Sequence, residues 1–193
     1  MALLVLGLVL FFAVHSVAIV APGARERAVQ ALGRNGWRGI YSLISVAGFV
    51  LLVVGYGQAR QAPVLLYAPP PWLRHVTFLL MLPVFPLVFA AYLPGKIKAK
   101  LKHPMLAAVK TWAVAHLLAN GMLADVLLFG GFLAWAVLDR VSLKRRVQQP
   151  MVAVPASRWN DLIAVVLGLV AYAMFVTFLH RLLIGVPVMG ALR

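Results

Sequence analysis

His103–Gly121, HPMLAAVKTWAVAHLLANG, is apolar enough to enter a bilayer, yet it carries Lys110, His116 and Asn120. Ionisable side chains at membrane depth are costly and usually face a bundle interior, a cavity or a cofactor. The stretch therefore marks a membrane span and a place where part of a functional site is expected. Pro104 suits the first turn of a helix, where its missing N–H is no loss. Asn120-Gly121 is a turn signal. Residues 104–119 make a helix of roughly 24 Å at ~1.5 Å per residue, slightly short of the ~30 Å of hydrocarbon in a bilayer. The expectation is a short hairpin with the apolar run that follows. Its turn would lie below the outer surface, with protein covering the backbone polar groups.

Working outward, the rest of the chain is of the same kind. Of its 193 residues 64% are hydrophobic and 11% charged, against about 25% charged in a soluble domain. About six candidate spans follow, over 2–21, 39–56, 75–93, 104–119, 122–138 and 162–184. The fold class expected is all-α: a polytopic transmembrane helix bundle, one domain over 1–193, with a short hairpin of the fourth and fifth helices. The N-terminal apolar run has no positive segment before it and is long for a signal peptide, so it reads as a span that stays. Pro83 and Pro86 should kink the third span. Tyr67 and Trp72, in the proline-rich 58–74 loop, suit the bilayer interface. Small residues such as Gly7, Gly48, Ala107, Ala115, Ala119, Gly130 and Gly131 would allow close helix approach.

The net charge of +14 does not point to nucleic acid, because the positive residues lie in short loops rather than on one face of a soluble fold. Residues 22–38, 94–103 and 139–161 hold 13 of the 18 Lys and Arg. Arg60, Arg74, Arg181 and Arg193 fall in the other set of loops, and Lys110 in a span. The positive-inside rule then places the three basic loops in the cytoplasm and both termini outside. The absence of cysteine excludes disulfides, thiolate metal sites and cysteine nucleophiles.

Two histidines sit well inside apolar spans. His15 is flanked by Phe11, Phe12 and Ser16. His116 shares a helical face with Trp112 and Asn120, spaced four apart. Buried imidazoles on different helices are a common way to hold haem iron; the alternative is a histidine bonded to a carbonyl or hydroxyl as part of the packing. Depth counting sets His15 and His116 on the order of 10 Å apart along the membrane normal, which counts against one shared metal. In the expected hairpin Asp125 lies level with His116, where a carboxylate would fix the imidazole tautomer; the alternative is a cap on the fifth helix. Lys110 reads as a snorkelling side chain. His75 and His180 are interfacial and form a fallback ligand pair. Arg38, Tyr41 and Ser42 would line a polar pocket or cap the second span. No HExxH is present, and four acidic residues cannot build a carboxylate-rich di-metal site.

RGIYSLISVAGFVLLVVGYGQAR, HPMLAAVKTWAVAHLLANG and ADVLLFGGFLAWAVLDRVSLKRR resemble the NnrU family of bacterial inner-membrane proteins, and the resemblance covers nearly the whole chain. The resemblance implies a link to nitrite and nitric oxide reduction in denitrifiers. The family is similar in turn to plant zeta-carotene isomerase, which uses haem b to isomerise a cis double bond. That similarity implies haem b here, with the ligating histidines matching His15 in AVHS and His116 in WAVAH. Trp112 would then wall the pocket, and Asn120 and Asp125 would tune it. Without cysteine, any thiolate ligand switch is excluded. The substrate class implied is a lipophilic polyene drawn from the bilayer. Two other classes stay open: a non-catalytic accessory protein of denitrification with the basic loop as partner surface, and a small membrane methyltransferase or reductase, which the segment beginning HPM resembles.

Overall fold

A computed structural model describes residues 1–146 and 154–188. Residues 147–153 of the long basic loop, and Arg193, lie outside the described residues. The helices in chain order are α1 (Ala2–Val20), α2 (Pro22–Ala59), α3 (Leu73–Met81), α4 (Val84–Tyr92), α5 (Lys96–Leu101), α6 (Pro104–Ala119), α7 (Leu123–Ser142), α8 (Asn160–Met174) and α9 (His180–Ile184), with a π-helical turn, Phe175–Leu179, between the last two. The chain forms two compact units. The first holds residues 1–68 and 121–145; the second holds 69–120 and 146–193.

In the first unit the sequence builds a seam of small residues. Gly48, Leu52, Gly55 and Ala59 are the buried positions of α2, spaced four, three and four apart, so they form one stripe. Leu4, Gly7 and Leu8 face them from α1. A Cβ at Gly55 would overlap the backbone of Leu4, one at Gly7 the backbone of Leu52, and one at Gly48 the backbone of Phe11. The two backbones therefore touch, as small residues in membrane helices permit. Phe11, Phe12, Leu127, Leu128 and Phe132 close over this seam, which brings α7 against α1.

The second unit is organised by prolines. Pro83 cannot donate to the carbonyl of Leu79, and its ring crowds the preceding turn, so the expected kink appears as the break between α3 and α4. The Tyr172 hydroxyl donates to the Phe78 carbonyl at 3.1 Å beside this break. Gly168 of α8 lies directly on Pro86, where a Cβ would overlap the proline ring. Thr77 of α3 donates to the Ala115 carbonyl of α6 at 2.9 Å.

Three expectations are overturned. Among the described residues four helices, not six, are long and apolar enough to cross a membrane: Ala2–Val20, Pro22–Ala59, Leu73–Tyr92 and Asn160–Ile184. α6 falls short at 16 residues. α7 has the length, but every 18-residue stretch of it contains Asp125, Asp139 and Arg140. The hairpin of the fourth and fifth spans does not form either, because the chain passes from one unit to the other at Asn120–Gly121. Asn120 is extended (φ −133°, ψ 126°) rather than turned. The Gly121 carbonyl accepts the N–H groups of Leu66 and Tyr67 at 2.9 and 3.2 Å, and Leu123 N–H donates to Val64 at 2.8 Å. The result is a bridge between Leu65 and Met122. Gly121 is needed there because a Cβ would overlap the Tyr67 carbonyl. Residues 22–38, read as a loop, are helical: ARERAVQAL is rich in good helix formers, and the only non-helical residue inside α2 is Gly33, at φ 71° and ψ 165°.

Candidate functional site

His15 lies on α1 of the first unit, half-buried. Its Nδ1 is 2.7 Å from the Phe11 carbonyl. A carbonyl only accepts, so Nδ1 carries the proton and the neutral ring keeps its lone pair on Nε2. The ring stacks on Phe11 with centroids 4.0 Å apart, and meets Tyr41 at 5.2 Å and Trp135 edge-on at 5.9 Å. Trp135 stacks in turn on Phe12 at 6.2 Å. The Trp135 Nε1 is buried without a hydrogen-bond partner, although a buried indole N–H ordinarily finds one. Asp139, 8% exposed, lies within electrostatic range of both His15 and Tyr41. The histidine thus sits in an aromatic nest built by three helices of one unit.

His116 lies on α6 of the second unit and is also half-buried. Its Nδ1 is 2.9 Å from the Trp112 carbonyl, which fixes the same tautomer. The Trp112 ring lies 5.3 Å from the imidazole, tilted by 51°. Asn120 donates to the His116 carbonyl twice, from its backbone N–H and from Nδ2, each at 2.9 Å. It therefore closes the end of α6, where carbonyls would lack helical partners.

Asp125 belongs to the first unit and is 4% exposed. It accepts the Tyr56 hydroxyl at 2.6 Å and the Met122 N–H at 3.0 Å. One carboxylate thus caps the start of α7 and ties it to α2, with the Arg60 guanidinium 5.8 Å from the Tyr56 ring centroid. The hairpin register that set Asp125 at the depth of His116 has no counterpart in this fold.

The structure brings together Trp112, His116 and Asn120 in one unit, and His15 with Tyr41, Trp135 and Asp139 in the other. Trp135 and Asp139 escaped the sequence reading. The signal for them is the stripe Asp125, Phe132, Asp139 on α7, one residue every seven, with Leu128 and Trp135 beside it. Of the remaining candidates, His75 is exposed, Lys110 is half-buried, and His180 Nδ1 meets the Val186 carbonyl at 2.7 Å.

Both candidate histidines present the tautomer in which a metal is taken through Nε2 while a carbonyl orients the ring. His15 also has an unsatisfied indole donor and flat aromatic walls beside it, features that suit a planar group bearing acceptor oxygens. Among the described residues no group of three or more His, Asp or Glu gathers to hold a metal ion; a haem held by axial imidazoles does not need one. Neither the curated proteins nor the solved structures contain a match to this chain. The family model described as NnrU protein matches residues 3–188, and the chain belongs to that family.

Proposed function

We propose that this NnrU-family membrane protein binds haem b, with His15 of the first unit and His116 of the second each a candidate ligand. The observation that carries the reading is the tautomer shared by the two rings: each Nδ1–H is committed to the carbonyl four residues earlier, so Nε2 is the nitrogen a metal would take. His15 supplies a ligand from an aromatic nest with a buried donor, Trp135 Nε1–H, for an acceptor on the bound group. Trp112 walls the His116 side. Asn120 fixes the end of the helix that carries His116. Asp125 acts further out, by holding α7 in place. Bound haem would supply an iron able to take a double bond of a lipophilic polyene or a small gas such as nitric oxide. The first matches the isomerase resemblance and the second the link to denitrification.

The test is the oxidised and dithionite-reduced absorption spectrum of detergent-purified protein, with a pyridine haemochrome assay. One haem b per chain is expected, with low-spin bands that shift in His15→Ala and in His116→Ala separately, as loss of a ligating histidine would require. A preparation from haem-replete cells that stays colourless, and takes up no added hemin, would overturn the reading. The same hydrogen bonds favour a second reading, since an Nδ1–H given to the preceding turn also satisfies a packing histidine. The protein would then be a non-catalytic accessory protein of denitrification, and histidine substitutions would lower yield without a spectral change.

A further inference from the structure

The second unit carries a cationic cleft that the haem reading does not use. It is about 700 Å³ in volume and lies between the α4–α5 connection and the start of α8. Lys96, Lys98, Ser157 and Arg158 line it, together with Asp161. Asp161 offsets one of the three positive charges and leaves the cleft net positive. One carboxylate oxygen accepts the Lys96 N–H at 2.7 Å and the other the Ile97 N–H at 3.1 Å, so the acid is committed to the backbone. Gly95 lies so close to that carboxylate that a Cβ there would overlap it. Asn160, buried, donates to the carbonyls of Pro94 and Pro155 at 2.9 and 3.0 Å. These bonds pin both walls, so the cleft is built by the fold and not left to loose side chains.

Its donors are of one kind. Lys98 Nζ gives one hydrogen to the Ala91 carbonyl at 2.7 Å and has two more. Lys96 and Arg158 are exposed, and the Arg158 guanidinium rests 5.1 Å from the Trp159 ring centroid, which orders a planar donor fork. Ser157 Oγ accepts the Trp159 N–H at 3.3 Å, so its own hydrogen can be donated. Three cations and a hydroxyl around one cleft match a phosphate.

The surroundings select the source of that phosphate. The cleft sits where apolar α8 begins, and the exposed Trp159 is a residue type of the headgroup region. Leu162, Ile163 and Val166 of α8 follow it and are exposed. A headgroup in the cleft would leave its acyl chains against these residues, whereas a free anion would gain nothing from them. We infer that the cleft of Lys96, Lys98 and Arg158 binds the phosphate of an anionic phospholipid, with the acyl chains on the apolar start of α8.

The test is native mass spectrometry of the full chain in detergent, after delipidation, with phosphatidylglycerol and phosphatidylcholine added in equal amounts. Wild type is expected to hold one phosphatidylglycerol in preference to phosphatidylcholine. Lys96→Gln with Arg158→Gln should weaken that preference by more than about tenfold, the loss expected when charge-assisted hydrogen bonds to a phosphate are removed. Lys100→Gln with Lys102→Gln removes as much charge from α5 and its C-terminal end, outside the cleft, and should leave the preference unchanged. Equal losses in the two double variants would reduce the effect to diffuse charge and overturn the site. Absence of preference in wild type would overturn it, as would displacement of the lipid by millimolar inorganic phosphate. The variants lie on the surface and leave the Asp161 and Asn160 bonds intact, so a folding defect is not expected; an unchanged melting temperature checks this.

Discussion

Acidic residues are rare in this chain, and the few present are used. Three of the four are aspartates: Asp125 and Asp139 are buried, and Asp161 receives two backbone N–H groups. Burying a carboxylate is tolerable only when hydrogen bonds or charges replace its water. Asp125 meets this condition with the Tyr56 hydroxyl and the Met122 N–H, so the Tyr56–Asp125 bond should be one of the stronger single contacts in the first unit. Tyr56→Phe removes one donor from a buried acceptor and should cost about 1.5–3 kcal/mol. Asp125→Ala should cost more, since it also removes the cap of α7. Melting in detergent of the two single variants and the double variant gives the coupling energy directly. Additive losses would show that the 2.6 Å bond contributes nothing of its own. This residue also shows what a sequence can reveal. A lone aspartate after Asn-Gly advertises a helix start, and the cap is there. That Tyr56, 69 positions earlier, completes its coordination depends on tertiary packing, which no local pattern encodes. His15 and His116 stood out for the same reason, as polar groups in apolar runs, while Trp135 and Asp139 became neighbours of His15 only through the contact of α7 with α1.

At the scale of elements, hydropathy located the apolar helices well and their connections poorly. Apolar length is a local property, so α1, the later part of α2, the α3–α4 pair and α8 were legible. The fifth span failed because α7 starts and ends on aspartates that the fold buries, so its charge content disqualifies it as a long apolar segment. The hairpin failed because Asn-Gly announces a break but not the direction taken after it. Here the backbone of Gly121 pairs with Leu66 and Tyr67, and the chain changes unit. Glycine spacing is more telling. Gly48 and Gly55, seven residues apart, face α1 with no room for a methyl group, whereas Gly57, two residues on, has nothing within 4 Å. Gly55→Ala should therefore force the helices apart, at about 1–3 kcal/mol. Gly57→Ala should be neutral or favourable by up to about 1 kcal/mol through helix propensity. Thermal melting of the two variants side by side checks the seam. Equal behaviour would mean that the backbones do not meet at Leu4.

For the whole molecule, the positive charges and the long helices can be combined. Among the described residues four helices are long and apolar enough to cross a membrane, and the expectation if each crosses once is that the segment between α4 and α8 begins and ends on the side opposite the start of α1. That segment starts with Lys96, Lys98, Lys100 and Lys102 and ends with Lys144, Arg145, Arg146 and Arg158. The Arg-rich start of α2 lies between the first two spans and falls on the same side by the same count. The positive-inside rule predicts that these basic segments are cytoplasmic. Because the chain has no cysteine, each position can be tested with a single introduced thiol and no background. Gly23→Cys, Lys100→Cys and Lys144→Cys should resist a membrane-impermeant maleimide in intact spheroplasts and react once the membrane is broken. Gln61→Cys, in the loop between the second and third spans, should react in the intact state. Gly23 has open space around its Cα, and the other three positions are solvent-facing polar residues, so folding is not placed at risk. Labelling of Lys100→Cys from outside, or protection of Gln61→Cys, would reverse the topology. It would also place the cationic cleft at Lys96 and Arg158 against the outer leaflet.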